Sequence, residues 1–134
     1  MSTHAPRGAE TVLLVEDEDG VRALAARILE RHGYTVLEAR NGRDALTVAT
    51  QHAGAIHLLP TDVVMPVMGG KQLADAMVAR NAALRVLFVS GYTDGDISQR
   101  GELDPCTAFL QKPFTARGLL VRVRDVLDAD AIAA

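Results

Sequence analysis

Five short apolar runs alternate with segments whose apolar residues recur at helical spacing, and this alternation constrains the fold more than any other feature of the sequence. Short runs bounded by turn residues predict buried strands, and helices between them imply right-handed crossovers joining parallel strands. We therefore expect an α/β fold with helices on both faces of one parallel sheet. The predicted strands are Thr11–Val15, Thr35–Ala39, Ile56–Thr61, Arg85–Val89 and Thr107–Leu110.

Five helices are expected to follow these strands. Asp19 is predicted to cap the first helix and Gly33 to end it, and Asn41 marks a turn or the start of the second helix. The other three helices are predicted at Lys71–Arg80, at Thr93–Gly101, where Gly95 weakens the pattern, and around the amphipathic stripe from Leu119 to Leu127.

The chain has 134 residues, the size of a single domain, and a formal net charge of -3, which is too small to indicate a partner. We expect residues 1–10 to be a disordered leader or linker, 11–128 to be the domain and 129–134 to be a tail. The single cysteine, Cys106, allows no internal disulfide. No apolar run suits a membrane span or a signal peptide, so we expect a cytoplasmic domain that does not contact the membrane.

Four of the five predicted strands end on polar, reactive residues. The first is followed by Glu16 and Asp17, the third by Asp62, the fourth by Ser90, and the fifth leads to Lys112. Because the carboxyl ends of parallel strands share one edge, where ligands bind in open α/β sheets, we expect these side chains to line one crevice.

These residues suit phosphoryl transfer. Three crowded carboxylates repel one another, and a hard cation such as Mg²⁺ relieves the repulsion while keeping positions for phosphate oxygens. Asp62 is the predicted nucleophile, and the Lys112 ammonium and the Ser90 hydroxyl would hold oxygens of the transferred group. Lys112 is one of only two lysines among 14 basic residues, which favours a specific role.

Other interpretations of single residues remain open. Asp62 alone could be a turn-capping acid, Ser90 a structural hydroxyl and Lys112 a surface charge. Pro60 lies inside a predicted strand and is expected to cause a bulge or to remove one hydrogen bond. Outside the crevice, His57 is expected to be a solvated or packed residue rather than a ligand, and Arg122 and Arg124 are expected to be solvated rather than a nucleic-acid site.

The sequence resembles the receiver domain of two-component response regulators. The matching pieces are Glu16-Asp17 after LLV, Asp62 in TDVVMPVMGG, Ser90-Gly91 after LFV, and Lys112-Pro113 after FLQ. The resemblance implies a flavodoxin-like three-layer sandwich with strand order 2-1-3-4-5. The segment from Ser90 to Thr115 further resembles receivers at the carboxyl ends of hybrid sensor histidine kinases, so a sensor kinase is one candidate for the parent chain.

The resemblance also implies roles for individual residues. Asp62 would be phosphorylated from a histidine kinase or a phosphotransfer domain, with Lys112 and Ser90 as its catalytic neighbours. Mg²⁺ (or Mn²⁺) would be held by Asp17, Asp62 and the backbone carbonyl of Val64, with Glu16 assisting. The Lys112–Pro113 peptide bond is expected to be cis.

By the same resemblance, phosphorylation would be reported by a switch made of Ser90 and Phe109. The switch would alter the face formed by the fourth helix, the fifth strand and the fifth helix, and a homodimer through that face is a further expectation. No nucleic-acid partner is expected.

Three other functions compete with this interpretation. The first is a receiver-like binding module that works without phosphorylation. The second is an aspartyl phosphatase, which is disfavoured because Val64 stands where such enzymes place a second acid. The third is flavin binding, which the acidic first strand–helix loop disfavours. The leading hypothesis is a domain that catalyses its own phosphorylation and dephosphorylation and has no metabolic substrate.

Overall fold

The computed structural model describes residues 8–63, 65, 67–91 and 108–129. Within these ranges the chain forms five strands and four helices. The predicted fourth helix, Thr93–Gly101, and Cys106 lie outside the described residues. The strands are β1 (Thr11–Val15), β2 (Thr35–Ala39), β3 (Leu58–Asp62), β4 (Arg85–Ser90) and β5 (Phe109–Gln111), and the helices are α1 (Asp19–Arg31), α2 (Gly42–Gln51), α3 (Gly70–Arg80) and α4 (Ala116–Asp128).

The strands form one parallel sheet in the order β2-β1-β3-β4-β5, which confirms the predicted flavodoxin-like topology. Neighbouring residues on a strand point to opposite faces, so β1 sends Leu13 to one core and Leu14 to the other. The Leu13 core is completed by α2 and α3, and the Leu14 core by α1 and α4. The result is three layers, with the sheet in the middle.

Three strands extend one residue further toward the crevice than their sequence patterns predict, and one of them, β5, ends at Gln111 rather than Leu110. β3 runs from Leu58 to Asp62, rather than from Ile56 to Thr61, because Asp62 pairs with Val89 of β4. β4 includes Ser90, which pairs with Gln111 of β5. Asp62 and Ser90 are therefore the last residues of their strands, where the ladder hydrogen bonds fix their backbones.

Pro60 does not produce a bulge. The pairing of β3 with β4 runs without interruption from Leu58 to Asp62, and its two registered pairs with β1 keep the same offset on either side of the proline. Of the two alternatives expected from the sequence, only the missing donor remains, because proline has no N–H group. The backbone of Asp62 keeps its regular position.

Helix starts are only partly as predicted. Asn41 caps α2, its side chain accepting the backbone N–H of Asp44 at 2.9 Å. The prediction for Asp19 is wrong: the cap position is Glu18, and Asp19 lies in the first turn of α1, where its carboxylate pairs with Arg22 at 2.7 Å. Arg22 also reaches the loop before the helix, where it donates to the carbonyl of Glu16 at 2.9 Å.

The amino-terminal edge of the sheet is closed by an ionic cluster around Arg124, which the sequence predicted to be solvated. Its guanidinium contacts both carboxylate oxygens of Glu10, at 3.1 and 2.8 Å, and both oxygens of Asp128, at 3.0 and 2.6 Å. The hydroxyl of buried Tyr34 lies 3.2 Å from the same guanidinium. Arg124 is therefore a structural residue, and Glu10, assigned to the leader from the sequence, is bound to the domain.

His57 lies at the same edge and supports the start of the sheet. Its Nδ1 accepts the backbone N–H of Thr11 at 3.0 Å. His57 is also exposed, and both observations are consistent with the expectation of a solvated or packed residue rather than a ligand. Among the described residues, no helix combines the length and the apolar composition needed to cross a membrane.

Candidate functional site

Among the residues that the structure describes, Glu16 and Asp62 are the two buried acids at the carboxyl edge of the sheet, with relative exposures of 3% and 6%. Glu16 directly follows β1, and Asp62 ends the adjacent strand β3. Asp17, next in the chain, is exposed at the mouth of the crevice. The topology thus brings together the three acids that the sequence placed at strand ends.

Lys112 supplies the positive charge that faces these acids. Its Nζ lies 2.7 Å from Oε1 of Glu16 and 3.1 Å from Oδ2 of Asp62. A third carboxylate, that of exposed Glu18, lies 3.8 Å from the same nitrogen. Burial alone lowers the pKa of the Lys112 ammonium, but Glu16 and Asp62 outweigh burial and hold it above its ordinary value. Lys112 therefore remains a cation at neutral pH.

The two buried acids differ in their affinity for a proton. Burial, together with the hydrogen bond and the charge of Glu16, raises the pKa of Asp62 to about 8, against the opposing effect of Lys112. Burial also acts to raise the pKa of Glu16, but its hydrogen bonds to Asp62, Lys112 and the backbone N–H of Glu18 outweigh burial and lower it. One ammonium is thus insufficient to keep both carboxylates ionised.

The acids can also hold a metal ion. Glu16, Asp17 and Asp62 each offer a carboxylate oxygen, and these atoms all lie within 4.8 Å of one another. Carboxylate oxygens are the ligands that Mg²⁺ uses in sites where it keeps waters and phosphate oxygens. The donor set and the raised pKa of Asp62 both fit a divalent cation. The predicted fourth ligand, the carbonyl of Val64, lies outside the described residues.

Ser90 and Lys112 are connected through the backbone. Ser90 is 2% exposed, and its carbonyl accepts the N–H of Lys112 at 2.8 Å. The Lys112–Pro113 bond is cis, as the resemblance implied. Phe109, the predicted switch residue, pairs with Phe88 on β4 and is partly buried against the core on the α2–α3 side. Ser90 pairs with Gln111 of β5, so Lys112 follows that register position by one residue and Phe109 precedes it by two.

The turn from β3 into α3 is held close to Asp62 by a glycine. A Cβ atom on Gly70 would overlap the carbonyl oxygen of Asp62, so only glycine allows the helix to begin there. Gly70 also donates its N–H to the carbonyl of Val63 at 2.8 Å. Between them Val67 has a φ of 75°, which is strained for a β-branched residue. The turn therefore fixes the backbone of Asp62 from the helix side.

Sequence reasoning missed Arg22, which contacts the acidic loop from α1. Its Nη1 donates to the carbonyl of Glu16 at 2.9 Å. One signal was available: an arginine one turn into a helix can reach back over the loop that precedes the helix. Sequence reasoning also missed Glu18, whose proximity to Lys112 depends on the fold.

Comparison with known proteins gives consistent results. Residues 12–124 match the family described as the response regulator receiver domain. The chain is 38% identical over 121 residues to the sensor kinase CckA of Brucella abortus, an alignment that covers 90% of this chain and 13% of that protein. The chain thus spans only a small part of that relative.

Solved structures agree in fold. The receiver domain of a hybrid histidine kinase CckA is 40% identical, with a TM-score of 0.73 over 88% of this chain and 99% of that chain. The chemotaxis response regulator CheY4 of Vibrio cholerae is 28% identical, with a TM-score of 0.77 over 89% and 99% of the two chains. Both likenesses extend over nearly the whole of the compared domain.

Proposed function

The chain belongs to the response regulator receiver domain family of two-component signalling, and we propose that Asp62 is its phosphoryl acceptor. The observation that carries this proposal is the contact of Lys112 with Asp62, 3.1 Å, at the edge of the sheet where two further acids gather. Asp62 is the acid that ends a strand, is fixed by Gly70 and faces a cation.

Receiver domains interact with histidine kinases or phosphotransfer proteins, and for this chain we propose a phosphohistidine as the donor. An oxygen of the Asp62 carboxylate attacks phosphorus, the bond between phosphorus and the imidazole nitrogen breaks, and its electron pair remains on the imidazole. Lys112 and the Ser90 hydroxyl bind oxygens of the group in transfer, whose negative charge they stabilise.

The residues that would hold Mg²⁺ are Glu16, Asp17 and Asp62. When bound, the ion supplies charge that keeps Asp62 ionised and screens the phosphoryl oxygens from the neighbouring acids. Asp62 needs this help because its proton must leave before it can attack, and its surroundings raise its pKa to about 8. The charge of Lys112 is not sufficient to remove this proton from Asp62 at neutral pH.

Downstream of the acceptor, Ser90 and Phe109 form the proposed switch. Ser90 ends β4 and Phe109 begins β5, so a shift of the Ser90 hydroxyl toward a phosphoryl group would change the packing beside Phe109. The proposed response reaches the surface of β5 and α4, where a partner or a second copy of the chain would sense it. We place the domain in the cytoplasm, where histidine kinases obtain ATP.

Beryllofluoride, which mimics an aspartyl phosphoryl group, tests the site without a kinase. We expect wild-type protein to bind it only when Mg²⁺ is present, with chemical shift changes in NMR spectra around Asp62, Ser90 and Lys112. Asp62→Asn should abolish binding, while Asp75→Asn, which removes an exposed acid on α3, should not. Equal binding by the Asp62→Asn variant would overturn the assignment of the acceptor.

A further inference from the structure

Arg22 connects the acidic loop to the helix that follows it and to the neighbouring strand. Its Nη1 donates to the carbonyl of Glu16 at 2.9 Å, its Nη2 contacts Oδ1 of Asp19 at 2.7 Å, and its Nε lies 3.4 Å from Oε1 of Glu38 on β2. The side chain is only 15% exposed. One planar guanidinium thus joins the loop after β1, the first turn of α1 and the neighbouring strand.

This contact bears on Asp17, the exposed acid of the cluster. The peptide before Asp17 is held because its carbonyl, that of Glu16, accepts from Arg22. The peptide after Asp17 is held because its N–H, that of Glu18, donates to Oε2 of Glu16 at 3.0 Å. The direction of the Asp17 side chain therefore follows from two peptide orientations, and Arg22 sets one of them.

The same contact bears on Glu16. The N–H of Glu16 donates to the carbonyl of Ala39 on β2 at 3.1 Å, and the carbonyl of Glu16 accepts from Arg22. Both backbone polar groups of Glu16 are therefore held, and the second depends on Arg22. We propose that Arg22 is a positioning residue that holds the Glu16–Asp17 peptide so that both carboxylates face a divalent cation. This inference rests on the proposed function, since it assumes that these acids bind Mg²⁺.

Charge and positioning predict opposite effects of removing Arg22, which makes the inference testable. A guanidinium beside the acidic loop repels a bound cation, so its charge alone weakens Mg²⁺ binding, and Arg22→Gln would then tighten it. If positioning dominates, the same variant weakens binding, because contacts that orient metal ligands typically contribute tenfold or more to affinity. Arg22→Lys separates the two effects further, since it keeps the charge and loses the planar fork.

The experiment is a calorimetric titration of each variant of the 134-residue chain with MgCl₂, after circular dichroism has shown that the variant is folded. We expect Arg22→Gln and Arg22→Lys both to raise the Mg²⁺ dissociation constant, by about tenfold for the glutamine variant. Arg27→Gln removes the same charge from an exposed position on α1 and should leave the constant unchanged. If the glutamine variant does not fold, the lysine variant decides alone, because a charge effect predicts wild-type affinity for it.

Titration of Asp62→Asn with Mg²⁺ distinguishes failure of this inference from failure of the proposed metal site. Weak Mg²⁺ binding by Asp62→Asn together with wild-type or tighter binding by both Arg22 variants overturns only the role of Arg22. Wild-type Mg²⁺ binding by Asp62→Asn overturns the metal site on which the inference rests.

Discussion

The Lys112 ammonium lies 3.1 Å from the Asp62 carboxylate, although 50 residues separate them in the sequence. The register of the sheet explains the contact. Asp62 pairs with Val89 on β4, the next residue of β4 pairs with Gln111, and Lys112 follows Gln111. Two adjacent parallel pairings therefore bring an acid and a cation from different strands to one point, and the remaining properties of the site depend on that contact.

Asp62→Asn should stabilise the domain in the absence of divalent ions. The pKa of Asp62 is raised in the folded state from 3.8 to about 8. The unfolded chain therefore loses this proton at lower pH than the folded chain does, so wild-type stability falls as pH rises through that interval. The neutral amide does not titrate, and the variant should gain on the order of 1–3 kcal/mol at pH 8.

Urea denaturation in EDTA at pH 4.5 and pH 8 measures this gain. The difference between variant and wild type should be larger at pH 8, and MgCl₂ should stabilise the wild type more than the variant. A variant that is less stable than the wild type at pH 8 would show that the ionised Asp62 carboxylate does not destabilise the folded state.

Glu10→Gln should destabilise the domain in a pH-dependent manner. The hydrogen bonds from Arg124 lower the pKa of Glu10 from 4.5 to about 2. A lowered carboxyl pKa contributes stability that is present above the unfolded value and is lost as pH falls through the folded value. We expect a loss of about 1 kcal/mol at pH 7, since the pair is partly solvated, and a much smaller loss near pH 2.

The control for this prediction is Glu30→Gln, which removes an exposed acid from α1. Chemical denaturation at both pH values provides the comparison. The same loss of stability at pH 7 and near pH 2 would mean that Glu10 acts through packing and not through its ion pair with Arg124.

Gly70→Ala should disturb the acceptor without touching a reactive group. Its Cβ would overlap the carbonyl oxygen of Asp62, so either the helix start or the strand end must move. We expect a stability loss of about 2 kcal/mol and phosphorylation by acetyl phosphate slowed by more than about tenfold, since small displacements of a reacting group are costly.

Gly20→Ala is the matched control, because a Cβ at that position in α1 meets nothing within 4 Å. Labelling rates of the two variants, measured on folded protein at equal Mg²⁺, separate positioning from stability. Wild-type labelling by a destabilised Gly70→Ala variant would refute a positioning role for this turn.

Ser90→Ala should permit phosphorylation but weaken the conformational response. The hydroxyl is buried at the end of β4, next to the strand that carries Phe109, and its removal leaves the phosphoryl group without the contact that shifts β4. NMR spectra with and without beryllofluoride measure the response, with Ser90→Thr as the control that keeps the hydroxyl. Shift changes as large as those of wild type around Phe109 would contradict the switch.

Much of the fold was predictable because it depends on local patterns. The apolar runs around Leu13, Leu59 and Leu87 specify buried strands, and their alternation with helices specifies a parallel sheet. The placement of the candidate site residues was predictable for the same reason, since Glu16, Asp62, Ser90 and Lys112 each stand at or just after a strand end. The sequence pattern placed the end of β3 one residue too early, at Thr61, because pairing with β4 extends the strand to Asp62.

Contacts between distant parts of the chain could not be predicted in this way. Arg124 lies 114 residues from Glu10, and nothing local distinguishes it from exposed Arg122. Asp19 has the residue type of a helix cap, but Arg22 binds its carboxylate. The raised pKa of Asp62 likewise depends on burial and on Glu16, which only the assembled sheet brings together.

The most direct test of the central claim is to locate the phosphoryl group after transfer. The protein is incubated with a phosphorylated histidine kinase or with acetyl phosphate in the presence of Mg²⁺, then treated with borohydride, which reduces an aspartyl phosphate to homoserine. Mass spectrometry of the peptides should find homoserine in place of Asp62 in the wild type, and at no other acid. Homoserine at Asp17 instead, 2-amino-5-hydroxypentanoic acid (the reduction product of a glutamyl phosphate) at Glu16 or Glu18, or no reduction product with either donor would contradict the account.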